Sequence, residues 1–428
     1  MTLARPRVLV LSQSLPYPPH SGVANRTFNV LRQLRVAYDV DLVAFFRVNH
    51  HLDRAARAAA QSALERVAAN VADPTPIPSE HSTLRKIWDH LRSIITGRAY
   101  TYYEYQSHAF AERLRAVVRS RTPDLVHLDS LDLHGWLPDV PHVPVACTHH
   151  NIESLLLRRY ASGLAVPLRQ YLRMQADRLE RLEQTVCPRL ALNVMASDVD
   201  AGSMRTLAPG AATLVVPNGT DTDYFQPNGG ASVPGRVSFV GPTYSFPNRD
   251  AVEFLLRDIW PLVHAEDRAA TLHLIGRGAA ADEKRYAAEP GVTPLGHLPD
   301  IRPALADTRC CVVPIRIGGG TRLKILDAWA MGKAVVSTSI GCEGLDAVDG
   351  ENILVRDTPE AFASAVMAVL RDEQLRSRLG QNARRTATET YSWDVLGRRL
   401  RSAYDELLGC APDASRVTVA SPSEAPCP

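Results

Sequence analysis

One pattern constrains the fold more than any other: an alternation that runs down the chain, breaks once and starts again. A short, continuously apolar run at Val8 to Leu11 is followed by largely apolar strand candidates at Val40 to Phe46, Leu125 to Leu128, Val143 to Cys147, Leu190 to Met195 and Leu214 to Val216. Segments of helical spacing separate them, as at Val23, Phe28, Leu31 and Leu34 and around residues 107–120 and 152–187. A strand that is apolar at every residue is buried on both faces, the condition of a parallel sheet between helices. Residues 217–235, rich in Gly, Pro, Asn and Asp, interrupt the pattern and read as a linker. It then resumes with strands at Val237–Val240, Thr271–Ile275, Cys310–Pro314 and Ala334–Ser337, and helices at Ala251–Trp260, Thr321–Met331, 359–371 and 373–387. Two α/β domains are predicted, residues 1–216 and 236–390. A last amphipathic helix covers 391–408, and the Pro-, Ser- and Ala-rich residues 409–428 have the composition of a disordered tail.

Length alone predicts two or three domains, because 428 residues exceed what one core serves. A net charge of +2 excludes the bulk basic field of a nucleic-acid binder. Residues 1–200 carry 24 Lys and Arg against 19 Asp and Glu, which suits proximity to anionic lipid but equally describes an ordinary solvated surface. Seven cysteines include no C-x-x-C pair, as suits a reducing cytosol without a zinc site. No run reaches the roughly 18 apolar residues of a spanning helix, and the N-terminal apolar stretch is too short for a signal peptide. The expectation is a cytoplasmic protein, with room for a peripheral contact at the inner membrane face. Residues 76–106, with Trp88 and Tyr100, Tyr102, Tyr103 and Tyr105, form either a lipid- or acceptor-contacting lobe or, more commonly for such a pattern, an amphipathic helix pair packed on the first domain.

The segment Gly318–Val336, GGGTRLKILDAWAMGKAVV, is the strongest candidate for chemistry. Three glycines (Gly318, Gly319, Gly320) let backbone N–H groups approach a ligand. Thr321, Lys324 and Asp327 follow at three-residue steps on an otherwise apolar helix, and Arg322 and Lys324 add charge to its N-terminus. That combination suits an anion; a surface ion pair of Lys324 with Asp327 is the bland alternative. Gly241 and Gly276 follow strands in the same domain, Gly296 precedes another tight segment, and all three suit loops around a nucleotide. After the first strand there is no G-x-G-x-x-G; Gly22 alone opens a helix, where it either meets a phosphate or simply starts the helix. His149 and His150 follow the Val143–Cys147 strand, where a histidine donates to a sugar hydroxyl or phosphate, or serves only as a structural hydrogen-bonding residue. No third ligand stands at useful spacing for a metal.

In this order, PYPPHSGVANRTFNVLRQL, THHNIES, VPNGTDTDYFQP, FVGPTYSFPNRDAVEFLLRDIWP, LHLIGRG, PLGHLPD, the GGGTRLK segment and YSW resemble a group-one (family four) glycosyltransferase of the GT-B fold, over about residues 7 to 408. The resemblance implies two Rossmann-like domains facing a central cleft, the first for the acceptor, the second for the donor, with the last helix crossing back to the first. It implies retaining, metal-independent transfer from a nucleotide-diphosphate-sugar to a glycan, glycolipid or small-molecule hydroxyl, with no cofactor. By the same resemblance, Gly22 meets the donor phosphate, His150 lies near the transferred sugar and Asp327 stands where a glutamate usually binds the ribose. Gly319 stands where many members carry a second, sugar-gripping glutamate, which leaves that task to backbone N–H groups of Gly318–Thr321 or to another side chain. An arginine and a lysine common after the first donor-domain strand are replaced here by Pro242 and Asn248, and Arg322 and Lys324 are the natural substitutes. A nucleotide-sugar-binding protein without turnover, or a GT-B nucleotide-sugar epimerase, is the alternative.

Overall fold

The computed structural model describes residues 5–19, 21–47, 53–80, 82–227, 229–230, 232–318 and 322–410. These divide into two units: one runs to Pro217 and resumes at Gly397, the other runs from Asn218 to Leu396. Residues 411–428, most of the tail expected to be disordered, lie outside the described residues, as do Gly319, Gly320 and Thr321.

The first unit is built on strands β1 (Arg7–Ser12), β2 (Asp39–Phe46), β3 (Asn70–Val71), β4 (Thr75–Pro76), β5 (Leu125–Leu128), β6 (Val145–His149), β7 (Leu192–Met195) and β8 (Thr213–Val215). They lie in the order β3-β2-β1-β5-β6-β7-β8, with β4 also on β2, and every pair is parallel. Leu9, Leu11, Val43, Phe45, Val126 and Leu128 fill the core against the helices. The sixth strand is displaced two residues from the expected Val143–Cys147, because Pro144 lies ahead of it and cannot donate to a ladder. The helical stretch expected at 152–187 is two helices, Glu153–Ser162 and Leu168–Val186, divided around Gly163 and Pro167. The final helix, Trp393–Leu408, begins in the second unit and from Gly397 onward belongs to the first. There Tyr38 Oη donates to Asp405 Oδ1 at 2.7 Å, and Arg401 donates to Gln33 Oε1 at 2.7 Å.

Residues 76–106 give a helix, Thr83–Thr96, and a short one, Tyr100–Glu104. The packing of the longer helix inverts the usual arrangement. Asp89 and Ser93 are its buried residues, whereas Leu84, Ile87, Trp88, Leu91, Ile94 and Ile95 are exposed.

The second unit carries β9 (Arg236–Val240), β10 (Thr271–Ile275), β11 (Val292–Gly296), β12 (Cys310–Val313), β13 (Ala334–Ser337) and β14 (Leu354–Val355), in the parallel order β11-β10-β9-β12-β13-β14. Phe239, Leu272, Val312, Leu326, Trp329 and Val336 form its core. The helix expected at Ala251–Trp260 is part of a longer run from Phe246 to Glu266, in which a π turn at Leu255–Ile259 precedes Pro261, a residue with no N–H for the ladder. The helix expected at Thr321–Met331 spans Leu323–Ala330, with Arg322 at its N-cap.

Candidate functional site

In an open parallel sheet, ligands bind beyond the carboxyl ends of the strands, where the strand order reverses. In the second unit that reversal lies between β9 and β12, since the chain moves from β9 to β10 and β11 and returns on the other side. The loop after β9 holds Gly241; the loop after β12 leads through Gly318 into the Leu323–Ala330 helix that carries Lys324 and Asp327. The two strongest charge-bearing positions of the sequence thus stand at the switch point.

Lys324 Nζ donates to Asn248 Oδ1 at 2.7 Å and lies 4.3 Å from the Phe239 ring centroid. Asn248 in turn donates from Nδ2 to the Pro242 carbonyl at 3.0 Å, which ties the ammonium to the Gly241–Pro242 loop. Burial and, secondarily, the Arg322 charge bring the Lys324 ammonium down to about 7. Burial also lowers the Arg322 guanidinium from its ordinary value. Asp327 Oδ1 accepts from the Thr220 hydroxyl at 2.8 Å. Burial, with a smaller push from Asp221, raises its carboxyl to about 7 despite the Thr220 bond. Thr220 is held by its backbone: its N–H donates to the Tyr391 carbonyl at 2.9 Å and its carbonyl accepts from Trp393 N at 3.2 Å. Lys324 and Asp327 therefore have separate partners rather than forming the bland surface ion pair.

The glycine loops have distinct jobs. Gly241 has φ +152°, and its N–H donates to the Ile275 carbonyl at 2.7 Å. Gly276 has φ +142° and donates to the Gly296 carbonyl at 2.8 Å. A Cβ on Gly276 would meet the Gly241 carbonyl carbon and oxygen at 2.5 Å. Gly276 and Gly296 thus buttress the Gly241 loop, and Gly241 is the one that abuts Lys324. Gly318, at φ +109°, lies against Pro247 and the Arg322 guanidinium. Gly319, Gly320 and Thr321 are outside the described residues.

In the first unit the order reverses between β1 and β5. Gly22 begins the Gly22–Arg35 helix after β1, capped by Ser21, whose Oγ accepts from Ala24 N at 3.2 Å. A Cβ at Gly22 would meet nothing within 4 Å, so packing inside the chain does not require a glycine there. His150 follows β6, its Nε2 3.4 Å from Asp129 Oδ1. Asp129, buried at the end of β5, also accepts from Thr27 Oγ1 at 2.6 Å and Ser12 Oγ at 2.9 Å. Burial alone would raise its carboxyl, but His150 and the Thr27 hydroxyl hold it below the usual range. Of the two strand-end histidines, His149 takes the structural alternative. It is buried, bonds Asn193 Oδ1 through Nε2 at 3.0 Å, and is brought down to about 4, chiefly by burial. It is the structural member of the pair.

Asp129 and Thr220 have no role in the sequence reading, and Asn248 enters it only as the stand-in for a family lysine, not as the partner of Lys324. Asp129 had one signal, a carboxylate just past a buried strand; Thr220 had none beyond its loop.

Residues 234–372 match the family model for glycosyl transferases group 1. The fold resembles that of Anabaena Alr3699/HepE solved with UDP, at 14% identity and TM-score 0.63, covering 94% of this chain and 100% of that one. It also resembles sucrose-phosphate synthase from Thermosynechococcus elongatus (16% identity, TM-score 0.66, 94% and 99% covered) and a glycosyltransferase from Rickettsia africae (12%, 0.62, 95% and 99%). No curated relative matches the chain in sequence. The architecture is GT-B, as expected from the sequence.

Proposed function

We propose that this chain is a glycosyltransferase that moves a sugar from a nucleotide-diphosphate-sugar to an acceptor hydroxyl, with retention and without a metal ion. The observation that carries the reading is the Lys324 ammonium held by Asn248 against the Gly241 loop at the sheet's switch point. Asn248 stands near the usual family lysine, and the bond between the two side chains supports Lys324 as the source of the charge that position lacks. The group 1 match over residues 234–372 and the UDP and UDP-glucose complexes of the HepE structure support a uridine diphosphate donor class.

In this reading the diphosphate lies across Arg322 and Lys324 and the helix start. As the glycosidic bond breaks, electrons pass to the leaving diphosphate, and these two cations neutralise it. Asp327, held by Thr220, accepts from the ribose hydroxyls. The backbone of Gly22 meets a donor phosphate oxygen, and His150, oriented by Asp129, lies by the transferred sugar. The acceptor hydroxyl attacks from the face the leaving group departs, giving its proton to a donor phosphate oxygen. The acceptor class is a sugar, a lipid-linked sugar or a small molecule.

The test is a thermal-unfolding screen of the full chain against nucleotide sugars, followed by product analysis. A true donor at a hundred times its Kd adds about 2.7 kcal/mol. Stabilisation by none, or acceptor-free conversion of the sugar to its epimer, overturns the reading.

A further inference from the structure

We propose that the Thr83–Thr96 helix is a docking surface for an anionic phospholipid bilayer. Leu84, Ile87, Trp88, Leu91, Ile94 and Ile95 fall at i, i+3, i+4, i+7, i+10 and i+11, a single stripe. In a soluble helix that stripe faces the core. Here it faces solvent, with Leu84 80%, Ile95 78% and Trp88 54% exposed.

The opposite face fixes this orientation. Asp89 accepts from Arg85 Nε at 2.8 and 2.9 Å. Ser93 Oγ donates to the Arg98 carbonyl at 2.7 Å and accepts from Gln175 at 2.8 Å and from Arg178 at 2.9 Å. Turning the stripe inward would break the bonds to Gln175 and Arg178 and expose Asp89, so the helix is held polar side in.

Charge identifies the occupant. Between residues 82 and 98 the ionised groups are Arg85, Lys86, Arg92 and Arg98 against Asp89 alone, and Asp89 is buried on Arg85. Beside the helix C-terminus a groove of about 380 Å³ is lined by Gly97, Arg173, Arg178 and Arg181. Its one acid, Asp177, is paired with Arg158 at 2.8 Å. The Arg173 and Arg181 guanidinium groups have no partner among the described residues. An apolar stripe with an aromatic in it, edged by arginine and lysine, lies flat in a headgroup layer: the stripe enters the acyl boundary and the arginine groove meets lipid phosphates. Exposed Tyr160, Val166 and Leu168 extend the apolar surface around the start of the Leu168–Val186 helix, one turn before Tyr171, whose hydroxyl bonds His90 at 2.5 Å. Among the described residues no helix is long and apolar enough to cross a membrane, so this contact is peripheral.

The chain carries its own reporter. Of its five tryptophans, Trp136, Trp260, Trp329 and Trp393 are buried and Trp88 is exposed. Full-length protein is titrated with phosphatidylglycerol or phosphatidylcholine vesicles, without donor or acceptor, while Trp emission and co-sedimentation are followed. A blue shift and sedimentation with phosphatidylglycerol, weakened by salt, are expected. Arg173→Glu with Arg181→Glu should lower that partition roughly tenfold or more and leave phosphatidylcholine unaffected. Ile87→Glu with Ile95→Glu should abolish it at an unchanged unfolding midpoint. Absence of a shift with either vesicle, or vesicle binding that survives Ile87→Glu with Ile95→Glu, overturns the proposal. So does a blue shift that follows protein concentration without vesicles and accompanies a dimer in sedimentation, which would make the face a contact between copies.

Discussion

The Lys324 ammonium occupies the space a side chain at position 241 would need: a Cβ on Gly241 would stand 2.6 Å from Lys324 Nζ and 2.9 Å from Asn248 Nδ2. Glycine at 241 and lysine at 324 are therefore one structural choice. Gly241→Ala should displace the ammonium, besides straining a backbone at φ +152°. Donor affinity should fall tenfold or more, comparably to Lys324→Ala, because a charge-assisted contact is worth about 1.5–3 kcal/mol. The double variant should be little worse than either single one. Additive losses in a calorimetric titration would separate the two residues.

Gly276 makes a different prediction. Its Cβ would strike the Gly241 backbone at 2.5 Å, and backbone cannot move aside as a flexible side chain can. Gly276→Ala should cost about 1–3 kcal/mol of stability, by strain at φ +142° and overpacking. Denaturant unfolding of the variant checks this, and a midpoint equal to wild type would mean the loops slide freely.

The opposed shifts of Lys324 and Asp327 have a calculable signature. Lys324 falls from 10.5 to about 7, so between those values the unfolded chain binds more protons than the folded one and stability rises with pH. Asp327 rises from 3.8 to about 7, so in that window the folded chain binds more protons and stability falls with pH. The pair should contribute a stability minimum near neutral pH. Asp327→Asn should remove the falling limb and Lys324→Met the rising limb. Unfolding midpoints measured across pH test this; identical profiles for all three proteins would contradict it.

A bound diphosphate should restore the lysine charge. At pH 8, donor binding is expected to take up protons, seen as an enthalpy that varies with the ionisation heat of the buffer. Lys324→Met should lose that dependence. Its persistence in the variant would assign the proton elsewhere.

Asp129 is expected to act through His150. Asp129→Asn keeps an acceptor for Thr27 at Oδ1, gives up the oxygen that accepts from Ser12, and removes the charge that faces the imidazole at 3.4 Å. Turnover should fall, since the imidazole loses the carboxylate that orients it, while KM for donor changes little. A parallel rise in KM, with a lowered unfolding midpoint, would make Asp129 purely structural.

Which of these features could be read from sequence follows from how local their causes are. The strands at Val8 and Cys310 were legible because burial on both faces leaves an unbroken apolar run, and that at Val40 because only Asp41 interrupts one. Strand β11, with Pro294 and a partly exposed edge, and the two-residue β14 carry no such run and were missed. Lys324 and Asp327 were legible because glycines and charges there share one short segment. Their partners were not: Asn248 lies 76 positions from Lys324, and Thr220 lies 107 from Asp327. The apolar stripe near Trp88 was visible as a pattern, but its direction depends on Gln175 and Arg178, more than eighty residues on.

The last helix has a consequence for synthesis. Its second half supplies Asp405 to Tyr38, and Tyr404, whose hydroxyl meets His127 Nδ1 at 2.5 Å in the first unit's core. A ribosome makes the first two hundred residues of that unit and then an entire second α/β unit before these partners emerge. The second unit can mature while the nascent chain is still attached; the first stays open along one side until translation is nearly over. Maturation should therefore run back to front, and a stop codon ahead of position 397 should release a protein whose later half is folded and whose earlier half is prey for proteases.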